Sequence, residues 1–263
     1  MTTYRMKHVV ISWILLSGCG VTSYAQNEVP ASRLEEAWGF TAESPRYLLQ
    51  PHQMNYFLPI THTSRRNTAP WEPFKVLGLQ EGERNLDDVE AKFQISFRQR
   101  IWATDDQQLG AWVAYTQLST WQVYNDDESH PFRDTNYLPE FFLSYNPRVH
   151  LGYFRWSLLN VGVIHESNGR AELISRSWDR LYAEAGLEKG NFVLLPRIWY
   201  RFEDGSDDNP DITDTYGYGQ LTAFYRWGDR SLTLTGRGNV SRGKGSVQAS
   251  YVSPPFMGPI ASA

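Results

Sequence analysis

His165 and Ser167 stand two residues apart at the end of an alternating segment, and Asp179 opens the next such segment. A serine hydroxyl is a poor nucleophile until a neighbouring base takes its proton. A carboxylate behind that base fixes its tautomer and stabilises the imidazolium. Side chains along a strand repeat every two residues, so Ser157, Leu159, Val161, Val163, His165 and Ser167 share one face. Leu158, Asn160, Gly162, Ile164, Glu166 and Asn168 form the other, more polar face. After a short polar loop, Asp179, Leu181, Ala183, Ala185 and Leu187 alternate with Arg180, Tyr182, Glu184, Gly186 and Glu188. If the two segments are antiparallel neighbours, His165, Ser167 and Asp179 gather at one end of the apolar face, as a hydrolase site would require. Serine and histidine at this spacing also occur by chance, so the pair alone decides nothing. The third partner in phase and the polar loop beside it carry the argument.

Bulk properties narrow the setting. The chain has 263 residues, with 25 basic against 29 acidic side chains and a net charge of −4, which gives no reason to expect nucleic acid. The single cysteine, Cys19, excludes an internal disulfide framework and a thiolate metal site. Ten Trp and 15 Tyr are residues that favour membrane–water interfaces. Beyond the first 20 residues no apolar run reaches the length of about 20 residues that a membrane helix needs. Barrel strands need only about 10 alternating residues each, so a transmembrane barrel stays open. Residues 1–25 read as a secretion signal, with Arg5 and Lys7 ahead of the apolar run from Val9 to Leu16. Ser23-Tyr24-Ala25 offers a small-residue cleavage site and is preferred. Leu16-Ser17-Gly18-Cys19 resembles a lipobox that would leave Cys19 lipidated.

Residues 26–50 lack strong periodicity and read as a periplasmic arm or plug. Alternating segments follow at 53–62, 88–100, 110–124, 138–147, 155–167, 178–188, 192–202, 215–227, 231–240 and 246–252. Their connections alternate in character. Glu188-Lys189-Gly190-Asn191 is a tight turn, whereas 125–137, 165–179 and 203–213 are longer and more polar. Faces such as Phe192, Leu194, Pro196, Ile198, Tyr200 and Phe202 stay apolar through their centres. The expected fold is therefore all-β, an antiparallel transmembrane β-barrel over residues 51–252 with an atypical tail at 253–263. The alternative is a soluble sandwich or lipocalin-like barrel, which also alternates. Gln117 falls among Ala111, Val113, Tyr115, Ser119, Trp121 and Val123, a polar residue in an apolar band, unless the strand is misphased and Gln117 points to the lumen.

Residues 165–182, His-Glu-Ser-Asn-Gly-Arg-Ala-Glu-Leu-Ile-Ser-Arg-Ser-Trp-Asp-Arg-Leu-Tyr, resemble the signature of bacterial outer-membrane phospholipase A. The segments 129–137 (Ser-His-Pro-Phe-Arg-Asp-Thr-Asn-Tyr) and 207–213 (Asp-Asp-Asn-Pro-Asp-Ile-Thr) add to it, and the likeness runs from about Asn55 to Tyr251. The family is a 12-stranded barrel that hydrolyses phospholipid and lysophospholipid acyl esters and needs calcium and dimerisation. The resemblance implies Ser167 as nucleophile, His165 as base and Asp179 as the orienting group, where the family more often has Asn. It implies a calcium site from the Arg170 carbonyl, the Ser175 hydroxyl and a carbonyl at Ser129 of a second protomer. The Gly169 N–H then helps hold the oxyanion. A second calcium position would involve Glu172, where the family has Asp, and Asp208. Taken alone, the Asp-rich run at 207–211 reads as a solvated loop. Gln117 is placed at the dimer interface and the protein in the bacterial outer membrane.

The C-terminal end departs from the family. Ser253-Pro254-Pro255-Phe256-Met257-Gly258-Pro259 breaks strand rules where two further strands are expected. An unclosed barrel leaves unpaired backbone groups in lipid, each costing several kcal/mol. Either the barrel closes with ten strands, or the chain is a truncated or frameshifted product, and the second is the expectation. Beside the phospholipase stand two other readings: a passive porin-like barrel or inactive relic, and a soluble secreted esterase.

Overall fold

The computed structural model describes residues 9–13, 32–64, 85–127, 129–170, 175–202 and 210–254, with backbone alone for 9–13. Strands are β1 (Val9–Trp13), β2 (Leu49–Pro51), β3 (Tyr56–His62), β4 (Val89–Ala103), β5 (Leu109–Trp121), β6 (Phe132–Tyr145), β7 (Val149–Leu151) and β8 (Phe154–Ser167). They continue with β9 (Ser177–Lys189), β10 (Phe192–Phe202), β11 (Gly219–Trp227), β12 (Arg230–Asn239) and β13 (Lys244–Val252). All lie in one sheet ordered β1-β13-β12-β11-β10-β9-β8-β6-β5-β4-β2, with β3 also on β4 and β7 on β8. From β2 to β13 every pairing is antiparallel, whereas β1, inside the expected secretion signal, lies parallel to β13 with Val9 opposite Val247. Among the described residues the two ends of this order do not pair.

The sheet is inside-out relative to a soluble protein. Its convex face carries Ile95, Phe97, Val113, Phe141, Leu143, Val161, Val163, Leu181, Ile198 and Tyr200, all exposed. Its concave face buries Arg98, Arg100, Thr116, Glu140, Asn160, Arg180 and Glu184. Water rewards neither choice; a lipid surround rewards both, because apolar side chains meet hydrocarbon and polar ones pair inside. Exposed aromatics collect near both rims, with Phe132 and Phe202 at the long-loop end and Trp102, Tyr145 and Trp227 at the tight-turn end. Such girdles suit the headgroup levels. The described helices are short, and none is long and apolar enough to cross a membrane.

The inner polar groups are paired rather than solvated. His52 Nε2 lies 3.2 Å from Glu140 Oε2, and the Tyr182 hydroxyl donates to Glu140 Oε1 at 2.5 Å. Arg197 Nε donates to Glu184 at 2.8 Å, and Asn160 Nδ2 reaches the other Glu184 oxygen at 3.0 Å. The segment before β2 fills the same concavity near the tight-turn end. Helix α1 (Arg33–Trp38) starts at Ser32, whose hydroxyl accepts from Glu35 N at 3.1 Å. Ser32-Arg33-Leu34-Glu35 has the spacing of a capping box. Ser32 also bonds Glu188, and Arg33 bonds Asn191 at 2.6 Å. Trp38 then seats edge-on against Trp112 and Phe142, with the Arg98 guanidinium 3.7 Å above its ring. Removing such a buried indole costs about 3–5 kcal/mol.

Three sequence expectations need correction. Ser157 does not share the outward face of Val161 and Val163. Trp156 pairs with Leu187 and Leu158 with Gly186, so Ser157 is the extra residue of a bulge. It turns inward, where its hydroxyl bonds Glu188. β6 begins at Phe132 rather than 138, because Thr135, Asn136 and Tyr137 pair with Ser119, Leu118 and Gln117 despite their polarity. A ladder needs backbone groups, not apolar side chains. The segment at 215–227 starts as a strand only at Gly219, after a short helix, α2 (Ile212–Tyr216).

Candidate active site

β8 and β9 pair in the register the alternation predicts, with His165 opposite Asp179 and Ser167 opposite Ser177. His165 Nδ1 lies 2.9 Å from Asp179 Oδ1, on the outward face at the long-loop end. A carboxylate only accepts, so this bond places the ring proton on Nδ1 and leaves Nε2 as the basic nitrogen. The pair is half-exposed, with side-chain exposures of 45% and 46%, so it is open to a substrate arriving from outside the sheet. Ser167 is two residues along the same face. Among the described residues its hydroxyl makes no hydrogen bond to His165; such contacts often tighten only when substrate is bound.

The backbone turns sharply after Ser167. Gly169 sits at φ +64°, and a Cβ there would come 2.8 Å from the Tyr137 ring, so both conformation and space call for glycine. Asn168, buried, holds the loop at both ends. Its Oδ1 accepts from Arg170 N at 3.3 Å and Arg176 N at 3.0 Å, and its own N–H donates to Arg176 O at 3.0 Å. Arg170 and Ser175 therefore flank the loop mouth. A backbone carbonyl and a hydroxyl are neutral oxygen donors that suit a hard cation such as calcium. No cluster of three His, Cys, Asp or Glu placed to hold a metal occurs among the described residues. Glu172 and Asp208 lie outside the described residues.

Ser129 is on the neighbouring connection between β5 and β6, at φ +58°. It leads into β6, the strand that pairs with β8. Gln117 lies on the outward face of β5 with exposed Val113, not toward the lumen. Its amide accepts from the Tyr115 hydroxyl and donates to Ser119 Oγ, both at 3.2 Å. Sequence reasoning assigned no role to Asn168. The signal is in the sequence, since an Asn followed by a Gly at a strand end favours a turn closed by the Asn side chain. Glu166 was placed on the inner face without a partner; Arg180 Nη2 meets it at 2.5 Å, directly behind His165 and Asp179.

Residues 34–258 match the family model described as Phospholipase A1. A putative phospholipase A1 of Neisseria meningitidis serogroup B is 38% identical over 214 residues, covering 78% of this chain and 56% of that protein. The phospholipase A1 of Escherichia coli K12 is 37% identical over 207 residues, covering 77% of this chain and 68% of that protein. The chain thus spans between about half and two thirds of these relatives' lengths. Among solved structures, outer membrane phospholipase A from Escherichia coli superposes with a TM-score of 0.71 at 35% identity, covering 80% of this chain and 84% of that one. The Salmonella typhi outer membrane phospholipase dimer with bound calcium gives 0.75 at 32% identity, covering 86% of each.

Proposed function

This chain belongs to the phospholipase A1 family, and from that premise we propose that it hydrolyses acyl esters of phospholipids and lysophospholipids in the bacterial outer membrane. The observation that carries the reading is the His165–Asp179 hydrogen bond of 2.9 Å on the outward face of the sheet, one strand period from Ser167. Ser167 Oγ attacks the ester carbonyl while His165 Nε2 takes its proton. Asp179 holds the imidazole in place and stabilises the imidazolium that forms. The proton then passes from Nε2 to the leaving lysolipid or glycerol oxygen as the carbonyl re-forms. Water, activated by the same nitrogen, later releases the fatty acid and frees Ser167. The Gly169 N–H donates to the developing oxyanion.

Calcium, which the related Salmonella typhi dimer contains, would be held by the Arg170 carbonyl and the Ser175 hydroxyl, with the Ser129 carbonyl coming from a second protomer. When bound it supplies positive charge beside the oxyanion. Glu172 and Asp208 are proposed for a further calcium position, and Gln117 for the interface of the homodimer. Residues 1–25 are proposed as the secretion signal, 26–50 as the periplasmic arm and 51–252 as the barrel.

The test is acyl release from detergent-dispersed phosphatidylcholine by the refolded 26–263 chain, with calcium or chelator, beside Ser167→Ala. Calcium-dependent release lost in Ser167→Ala is the expected result. Release that survives Ser167→Ala, or none from the wild type, would overturn the proposal for this chain.

A further inference from the structure

β6 pairs with β8 only as far as Tyr137 opposite Ser167, yet Phe132–Asn136 run on along β5 toward the rim. In that stretch Thr120 faces Asp134 and Trp121 faces Phe132, so Arg133 is the extra residue of a second bulge. A bulge drops its extra residue out of the ladder and re-aims its side chain. Arg133 turns inward, where Nε and Nη2 grip the two oxygens of Glu90 at 2.5 and 3.0 Å. Glu90 is fully buried, and Gln122 Nε2 donates to it as well, at 2.6 Å.

The same bulge is held from the loop side. Arg170 Nη2 donates to the carbonyls of Phe132 and Arg133, at 3.2 and 3.3 Å. Arg176 Nη2 meets Asp134 Oδ1 at 2.5 Å. Thus the two ends of the loop after β8 are both fastened to the bulge. On its other side the bulge continues into the turn that carries Ser129. There Ser129 and His130 are both left-handed, at φ +58° and +55°. Non-glycine residues in that region cost about 1–3 kcal/mol each unless their surroundings enforce it. The enforcing contacts are His130 N to Asn125 O at 3.0 Å, Gln122 N to Pro131 O at 3.0 Å and Trp121 Nε1 to His130 O at 2.9 Å.

We propose that the bulge at Arg133 is a joint that holds Arg170 and Ser175 in register with the Ser129 turn, with Glu90, Arg133, Asp134 and Arg176 as positioning residues. It rests on the calcium reading given above.

The experiment is calorimetric titration of calcium into the refolded 26–263 chain in detergent, alongside the calcium dependence of lipolysis. Wild type, Asp134→Ala, Arg176→Lys and Glu90→Gln are compared. Loss of a group that supports a metal ligand weakens affinity about 10- to 100-fold. Asp134→Ala is expected at the lower end of that range, with Arg176→Lys closer to wild type and kcat at saturating calcium retained. A purely structural role would instead lower the unfolding midpoint and leave calcium affinity alone. Wild-type affinity in both Asp134→Ala and Glu90→Gln would overturn the joint while leaving the calcium reading intact. Should Glu90→Gln fail to refold, the partly exposed Asp134–Arg176 pair decides the matter alone. No calcium uptake by the wild type would overturn the calcium reading and the joint with it.

Discussion

The two faces of one strand pair, β8 and β9, are put to opposite uses. Outward, His165 and Asp179 form a half-exposed pair above a band of Val161, Val163 and Leu181. Inward, the same strands carry Glu166–Arg180 and Asn160–Glu184, closed off from solvent and joined to Arg197 of β10. Polar groups on the inner face meet one another and hold the sheet together; those on the outer face are left accessible to a reactant. One residue of register separates cohesion from chemistry.

The contrast can be tested from both sides. His165→Ala should cost the most in turnover, about 10⁴-fold or more, as removal of a triad member does. Its urea unfolding midpoint should stay near the wild-type value, because the ring is half-exposed on the outer face. Glu184→Ala should behave oppositely. It strands Arg197 without its carboxylate, and breaking a buried pair destabilises by roughly 3–5 kcal/mol. The unfolding midpoint should drop while surviving folded protein keeps its kcat. Val161→Arg places a charge in the apolar band and should destabilise by about 2–4 kcal/mol if that band lies near the bilayer midplane. An unchanged stability in lipid vesicles would mean the band does not face hydrocarbon. The smallest effect is expected at Asp179. Asp179→Asn keeps a hydrogen-bond acceptor for His165, so kcat should fall less than in Asp179→Ala, which leaves the ring unheld.

Period-two alternation made much of this legible. It places His165, Ser167 and Asp179 on one face, because register follows from the pleat once two strands are neighbours. It failed where a strand carries an extra residue. Ser157 and Arg133 each break parity by one, and nothing in their residue types marks a bulge. The start of β6 was hidden for a related reason: Arg133, Asp134 and Asn136 look like loop residues, yet their backbone is in the ladder with β5. The inner network was half visible. Arg98 and Arg100 sit two apart in a strand, and Glu184 and Glu188 four apart, so each pair must share a face, but which partner each meets depends on the curl of the sheet. His52 reaching Glu140 from the far edge is a contact no local pattern encodes.

The arm seated in the concavity brings its own optical label. Trp38 and Trp112 lie 5.8 Å apart with planes at 81°, one from the arm and one from β5. Two indoles so close and so crossed couple their electronic transitions and produce paired circular-dichroism bands of opposite sign. That signal belongs to neither tryptophan alone. Its growth during refolding would time the docking of the arm separately from the formation of the strands around it.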